Sequence, residues 1–264
     1  MDLGLKDKVA LVTGASKGIG KAIALTLAAE GARVAVVARD ARALDKVVAE
    51  SRDRGRKDGV AVAADLSRLE EVERVVREVK DRCGRIDVLV NNAGAIRGGA
   101  FLAIPDAQWI DDWNLKLLGY IRMARAVFPL MQAEGGGRIC NVTGAAARNP
   151  APTYLTGGAA NAALTNFTKG LADLGAPSKI LVTAVSPAAT RTERWDSLIA
   201  QQAAASGRTV ADLQKEAEAP YKLGRIATSQ DIADMVTFLV SERASFVTGI
   251  CITVDGGATR GVYP

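Results

Sequence analysis

The first segment along the chain that is suited to binding a ligand is a glycine-rich one, Thr13–Gly20. It follows a short apolar run, Val9–Thr13. Its glycines have the spacing G-x-x-x-G-x-G. Glycines allow a tight turn there, and the N–H groups at the start of a following helix can face a pyrophosphate. Because the segment follows the first strand of an alternating α/β chain, it predicts a dinucleotide site.

The end of the second apolar run indicates which dinucleotide is bound. A site for NAD has a carboxylate at the end of the second strand, but this strand ends with Ala38 and Arg39. Arg39 and Lys17 are both placed to meet a 2′-phosphate, for which a guanidinium is well suited. Asp40, the nearest acid, is better explained as the cap of the next helix. The sequence therefore favours NADP(H).

The composition excludes several other kinds of site. The chain has 0 histidines, so Ser-His-Asp catalysis, Cys-His catalysis and histidine metal ligands are ruled out. Its three cysteines, Cys83, Cys140 and Cys251, are too far apart for a C-x-x-C pair and odd in number. We therefore expect no metal and no disulfide framework, and a reducing cytoplasm as the location.

Charge and hydropathy limit the partners. The net charge of +5 comes from 34 basic and 29 acidic residues spread along the chain, without the concentrated basic patch of a nucleic-acid binder. No uncharged apolar stretch approaches the ~18 residues of a membrane span, and Met1–Lys8 lacks the apolar core of a signal peptide. We expect a soluble protein that acts on a small molecule.

Alternating strands and helices must position these residues. Short apolar runs of the kind covered by helices on both faces predict seven strands: Val9–Thr13, Arg33–Ala38, Val60–Ala63, Val88–Asn91, Arg138–Val142, Ile180–Val185 and Ile250–Val254. Among the helices between them, three are expected over Asp106–Gln132, Tyr154–Leu174 and Ser229–Ser241. This order predicts an α/β fold with a doubly wound, parallel seven-stranded sheet, in one domain spanning residues 1–264.

The glycine spacing and the order of further motifs resemble the short-chain dehydrogenase/reductase family, and in particular its 3-oxoacyl reductase-like members. The resemblance covers almost the full length and implies a Rossmann-type fold. It rests on Asp65-Leu66, Asn91-Asn92-Ala93-Gly94, Asn114, Ser186-Pro187 and Val254-Asp255-Gly256-Gly257, in the family's order.

The same resemblance implies the residues that hold the cofactor. The pyrophosphate and ribose are expected at Gly14, Ser16, Gly18, Ile19 and Gly20, together with Lys17 and Arg39 for the 2′-phosphate. The adenine is expected at Asp65 and Leu66, the ribose side at Asn92, Ala93 and Gly94, and the nicotinamide at Pro187, Thr190 and Thr192.

The catalytic residues implied by the resemblance are incomplete. Family members use a tyrosine as general acid or base, a lysine four residues later that lowers its pKa and holds the nicotinamide ribose, a serine on the preceding strand, and a helix asparagine that keeps a water. Tyr154 opens the matching helix, but the lysine position falls on Gly158 and the serine position on Gly144. The segment between Gly144 and Tyr154 is also a few residues shorter than usual. We expect Tyr154 to donate the proton, Asn114 to support a water, and Thr143 to supply a substitute hydroxyl.

Two hypotheses follow. The first is an NADP(H)-dependent carbonyl reductase that transfers a hydride to a ketone. The second is an NADP(H)-binding sensor or assembly protein with little redox turnover, since a serine and a lysine are missing. Under either, residues 188–223 form a lid over the substrate, and the small residues of the helix Tyr154–Leu174 predict a homotetramer, as in the family.

Overall fold

The computed structural model describes residues 1–55 and 58–259, and within them nine strands form two parallel sheets. The strands span Val9–Thr13 (β1), Arg33–Ala38 (β2), Val60–Ala63 (β3), Val88–Asn91 (β4), Gly137–Val142 (β5), Ile180–Pro187 (β6), Thr190–Arg191 (β7), Ala227–Thr228 (β8) and Cys251–Val254 (β9). The large sheet has the order β3-β2-β1-β4-β5-β6-β9. The predicted seven-stranded, doubly wound sheet in a single domain is therefore confirmed.

Helices cover both faces of this sheet. They span Gly18–Ala29 (α1), Ala41–Asp53 (α2), Leu69–Cys83 (α3), Asp106–Trp113 (α4), Gly119–Ala133 (α5), Leu155–Gly175 (α6), Glu193–Ser206 (α7), Val210–Glu218 (α8) and Ser229–Leu239 (α9). Leu27, Leu44 and Val236 of α1, α2 and α9 lie in the core on one face. Val76 and Val127 of α3 and α5 lie in the core on the other. Strand side chains alternate between these cores, because successive residues point to opposite faces.

The helix expected over Asp106–Gln132 is present, but its hydrogen-bond pattern changes partway along. α4 ends at Trp113, a π-helical turn occupies Asn114–Leu118, and α5 begins at Gly119. A π-helical turn bonds residue i to residue i+5, so the side chains that follow it are rotated relative to those of a regular α-helix. Short π-helical segments of this kind are frequent at functional sites.

The second sheet consists of β7 and β8 alone, with Thr190 paired to Ala227 and Arg191 to Thr228. The chain between them forms α7 and α8. Most of the segment expected to be a lid is therefore helical, and the two ends of this helical pair are joined by backbone hydrogen bonds. Closure over a substrate stays a prediction.

The strand order reverses at β1, which pairs with β2 on one side and β4 on the other. Thr13, at the end of β1, holds β1 against β4 and the loop that follows β4. Its hydroxyl donates to the Val90 carbonyl at 3.3 Å and accepts from the N–H groups of Asn92 at 2.9 Å and Ala93 at 3.1 Å. Ligands of doubly wound sheets bind at such a switch point, beside the carboxyl ends of the strands.

No helix in the described part of the chain combines the length and the apolar character needed to cross a membrane.

Candidate functional site

The loop between β1 and α1 forms a cradle whose shape requires glycine at three positions. Gly14 and Gly18 have φ of +65° and +55°, in the left-handed region that favours glycine. A Cβ on Gly20 would overlap the Gly14 carbonyl oxygen and Asn92 Nδ2. The first N–H groups of α1 have no partner inside the helix and are available to phosphate oxygens. This cradle fits a pyrophosphate, as the sequence predicts.

The loop after β4 holds the cradle from the other side. Asn92 Nδ2 donates to the carbonyl oxygens of Thr13 at 3.1 Å and Gly14 at 3.2 Å. A Cβ on Gly14 would lie 2.8 Å from Ala93 Cα, so the two loops are in close contact. On the solvent side, Thr192 Cγ2 lies 3.3 Å from the Cβ position of Gly18. The structure thus brings together the expected pyrophosphate residues, Asn92, Ala93 and Thr192.

The two cations expected at the 2′-phosphate are exposed, and no carboxylate among the described residues forms an ion pair with Lys17 or Arg39. Asp40 caps α2, because its Oδ1 accepts from the Ala43 N–H at 3.1 Å. Burial acts against the charged form of Asp65, but hydrogen bonds from Ser67 and the charge of Arg39 hold the pKa of this carboxyl below its usual value. Arg39 and Asp65 therefore lie within electrostatic range of each other.

Tyr154 immediately precedes α6, with φ −140° and ψ 37°. Its ring folds back over Gly157: a Cβ on Gly157 would overlap ring atoms Cε1 and Cζ and lie 2.6 Å from the hydroxyl oxygen. Ring atom Cδ2 lies 3.7 Å from the Cβ position of Gly98. The phenol occupies space that is open only because Gly157 has no side chain.

Tyr120 is bonded to β5 and is electrostatically coupled to the Tyr154 phenol. Its hydroxyl donates to the Val142 carbonyl at 3.0 Å. Burial raises the pKa of Tyr120, and the nearby charge of an ionised Tyr154 adds to that rise. The Tyr154 phenol is therefore within electrostatic range of the end of β5.

Comparison with known proteins decides the family. A family model described as enoyl-(acyl carrier protein) reductase matches residues 14–259. The 3-oxoacyl-[acyl-carrier-protein] reductase of Synechocystis sp. is 36% identical over 255 residues, covering 96% of this chain and 97% of its own. An uncharacterised oxidoreductase of Bacillus subtilis is 33% identical over 264 residues, covering 98% and 99%. L-sorbose reductase from Gluconobacter frateurii, solved with NADPH and L-sorbose, is 31% identical with a TM-score of 0.96, covering 99% and 100%.

The chain belongs to the short-chain dehydrogenase/reductase family. It is an oxidoreductase of the NAD(P)-dependent type.

The structure shows what surrounds the position expected for the family's lysine. We expected it at Gly158, but a Cβ there would point at the Ala146 carbonyl, 3.3 Å away. The residue of α6 that faces the serine position is Asn161, whose Nδ2 lies 2.7 Å from the Cβ position of Gly144. Residues four apart share a helix face, so Gly157 and Asn161 lie on the same side of α6.

Hydrogen bonds orient the side chains of two further expected residues. Asn114 Oδ1 accepts from Arg122 Nη1 at 2.8 Å, and the same nitrogen donates to the Ser67 carbonyl, so the Asn114 side chain points toward the loop after β3. The Thr143 hydroxyl donates to the Val185 carbonyl at 3.2 Å within the sheet. Neither of these hydrogen bonds involves the Tyr154 phenol, so the roles expected of Asn114 and Thr143 stay predictions.

The remaining residues of the nicotinamide side lie where β6 ends. Pro187 is the last residue of β6 and pairs with Val254. The Thr190 hydroxyl donates to the Ala188 carbonyl at 3.1 Å, and the Thr192 hydroxyl caps α7 by accepting from the Trp195 N–H at 3.3 Å. Both threonines thus shape the start of the expected lid.

Lys116 was missed by the sequence analysis. It lies in the π-helical turn, and its Nζ donates to the Thr143 carbonyl at 3.0 Å. Its Cδ lies 2.9 Å from the Cβ position of Gly94, so the side chain passes against the loop after β4. Burial lowers the pKa of Lys116 to about 8. The sequence feature that could have revealed it is a lysine set among three leucines, Leu115, Leu117 and Leu118.

This geometry predicts that Lys116 reduces the stability of the fold. Its pKa falls from 10.5 in water to about 8 in the folded chain, so the unfolded chain binds the proton more tightly. The penalty is complete below pH 8 and disappears as the pH rises toward 10.5. Lys116→Met should therefore raise the free energy of unfolding at pH 7 by about 1–3 kcal/mol, measured by urea denaturation.

The gain from Lys116→Met should shrink between pH 8 and pH 10.5. Lys46→Met is the control, because Lys46 is exposed on α2 and should show no such trend. A Lys116→Met protein that is less stable than the unchanged protein at pH 7 would contradict the burial argument.

Proposed function

We propose that the protein is an NADP(H)-dependent reductase that converts a ketone to an alcohol. The observation that carries the proposal is the glycine cradle with Lys17 and Arg39 beside it, both without an ion-pair partner in the described chain. The similar L-sorbose reductase was solved with NADPH and a ketose, which supports both the cofactor and the substrate class. Cys83, Cys140 and Cys251 are free thiols, and this suits work in the reducing cytoplasm.

In this proposal the bound cofactor supplies the hydride, and the chain supplies the proton. Tyr154 is the proton donor: a neutral phenol can give its proton to the alkoxide that forms when the ketone is reduced. Gly157 leaves the room that lets the ring fold toward the end of β5. Asn92 and the glycine cradle orient the cofactor, and the helical segment between β7 and β8 covers the substrate.

A second function is favoured by one specific feature. By the family resemblance, the serine position falls on Gly144 and the lysine position on Gly158, so a hydroxyl and an ammonium are missing. This favours an NADP(H)-binding sensor or assembly protein with little turnover. A panel of ketones and alcohols, followed through NADPH absorbance, separates the two: turnover selects the reductase, and tight NADPH binding without turnover selects the sensor.

The proton donor can be tested by two substitutions. Tyr154→Phe removes the hydroxyl with little change in shape and should reduce ketone reduction by roughly 10²–10⁴ while NADPH affinity stays similar. Gly157→Ala keeps the phenol but displaces it, so its rate should also fall. pH–rate profiles in both directions are the measurement, with alcohol oxidation expected to rise toward pH ~10, where tyrosinate forms.

The control is the NADPH affinity of Tyr154→Phe, which should match that of the unchanged protein if the variant loses only the proton donor. If Tyr154→Phe retains the rate of the unchanged protein, Tyr154 does not carry the chemistry.

Cofactor preference tests the roles of Lys17 and Arg39. We expect NADPH to bind more tightly than NADH, and Arg39→Asp to narrow or invert that preference through like-charge repulsion with the 2′-phosphate. Isothermal titration with both cofactors measures it. Arg42→Asp, the same charge change at an exposed position of α2, should leave the preference unchanged, and equal affinities in the unchanged protein would refute the assignment.

We also propose that the chain forms a homo-oligomer, a tetramer as in the family, through α4 and α6. An apolar cleft of about 290 Å³ lies between them, lined by Trp109, Gly158, Ala159 and Ala162 among others. Ile110 on α4 is 67% exposed. A helix of a second copy would cover these surfaces.

Light scattering at micromolar concentration should therefore show an oligomer, and Ala162→Trp should reduce its mass by filling the cleft. Ala49→Trp, at an exposed position of α2, is the matched control. A monomeric unchanged protein would contradict the assembly.

A further inference from the structure

Two polar side chains that the proposed chemistry does not use meet at the end of β5. Lys116 reaches the Thr143 carbonyl from the π-helical turn. Asn161 reaches the neighbouring residue, Gly144, from α6. Thr143 and Gly144 are adjacent in sequence, so an ammonium and an amide from two different elements are brought to one place.

Asn161 lacks a partner that a buried amide normally has. The residue is 2% exposed, and its Oδ1 has no hydrogen-bond partner in the described structure. Buried acceptors of native proteins are nearly always satisfied by protein, water or ligand. This carbonyl oxygen is therefore suited to accept from a hydroxyl of a bound molecule.

The Lys116 ammonium has hydrogen-bond donors that are not used within the described residues. Its one hydrogen bond among the described residues goes to a neutral carbonyl, and no carboxylate there pairs with it. An ammonium has three donors, so donors remain available for oxygen atoms of a ligand. Lys116 is partly exposed, which leaves it accessible to a bound molecule.

Lys116 borders the loop that clamps the cradle, and Asn161 lies on α6 near the residue that the Tyr154 ring covers. Lys116 packs against Gly94, two residues after Asn92, which clamps the cradle. Asn161 lies one helical turn beyond Gly157, over which the Tyr154 ring is folded. A dinucleotide whose pyrophosphate lies in the cradle has its second ribose between the cradle and the phenol if its nicotinamide lies beside Tyr154.

We propose that Lys116 and Asn161 together form the subsite for the ribose diol next to the nicotinamide. The Lys116 ammonium donates to a ribose oxygen, and Asn161 Oδ1 accepts from a ribose hydroxyl. A vicinal diol is both donor and acceptor, which matches this pair. The cation of the site thus comes from the π-helical turn between α4 and α5 instead of from α6. The inference rests on the proposed cofactor, but it requires no turnover.

The test compares two ligands that differ at this subsite. NADPH contains the nicotinamide ribose, whereas adenosine 2′,5′-bisphosphate contains only the adenine end with its 2′-phosphate. Dissociation constants for both are measured by isothermal titration in the unchanged protein and in Lys116→Met and Asn161→Leu. The controls are Lys46→Met and Asn166→Leu, which change the same residue types at exposed positions of α2 and α6.

Each site variant should raise the dissociation constant of NADPH by about tenfold to a hundredfold. This is the effect of one lost charged or buried hydrogen bond. Binding of adenosine 2′,5′-bisphosphate should stay within about twofold, and the controls should change neither ligand. In the double variant the loss should be smaller than the product of the single losses, because both groups hold one diol.

Unchanged NADPH affinity in both variants would overturn the proposal, and so would parallel losses for both ligands, which indicate a disturbed fold. These results leave the proposed function standing. Conversely, the expected pattern in a protein that turns over no ketone supports the subsite and rejects the reductase. If the unchanged protein binds NADPH no more tightly than adenosine 2′,5′-bisphosphate, the subsite is rejected.

Discussion

The hydroxyl of Thr13 joins the carboxyl ends of β1 and β4, and the candidate site is built around that junction. By accepting from two N–H groups of the loop after β4 and donating to the Val90 carbonyl, it brings the two loops together. Asn92 then closes the contact with its own side chain. Because no room remains for a Cβ at Gly20, the glycines of the cradle are a steric requirement of this junction as well as a binding surface.

The sheet and the cradle could be predicted from sequence because their signals are local. β1 to β4 occupy the expected residues, since each is a short, nearly continuous apolar run. The π-helical turn at Asn114–Leu118 could not be predicted in this way. The apolar pattern continues through it, and a change from i+4 to i+5 bonding leaves no strong mark in composition.

The catalytic side of the site was less predictable because its geometry depends on contacts between distant segments. The direction of the Tyr154 ring follows from the missing Cβ of Gly157, which spacing alone does not reveal. The burial of Lys116 follows from packing against Gly94 and Thr143, 22 and 27 residues away in sequence by their numbering. Sequence reasoning treated Gly157 as a helix-packing residue and passed over Lys116.

Steric dependence links the unusual residues of this site to one another. A side chain on Gly144 would collide with the Asn161 amide, and one on Gly157 would collide with the Tyr154 ring. The two glycines are therefore conditions for the positions of the amide and the phenol, and adding a serine or a tyrosine alone would displace what is there. Lys116 is unusual for its effect on stability. A partly buried, desolvated ammonium without a carboxylate partner reduces stability, and groups that reduce stability are concentrated at functional sites, where they are retained for what they bind.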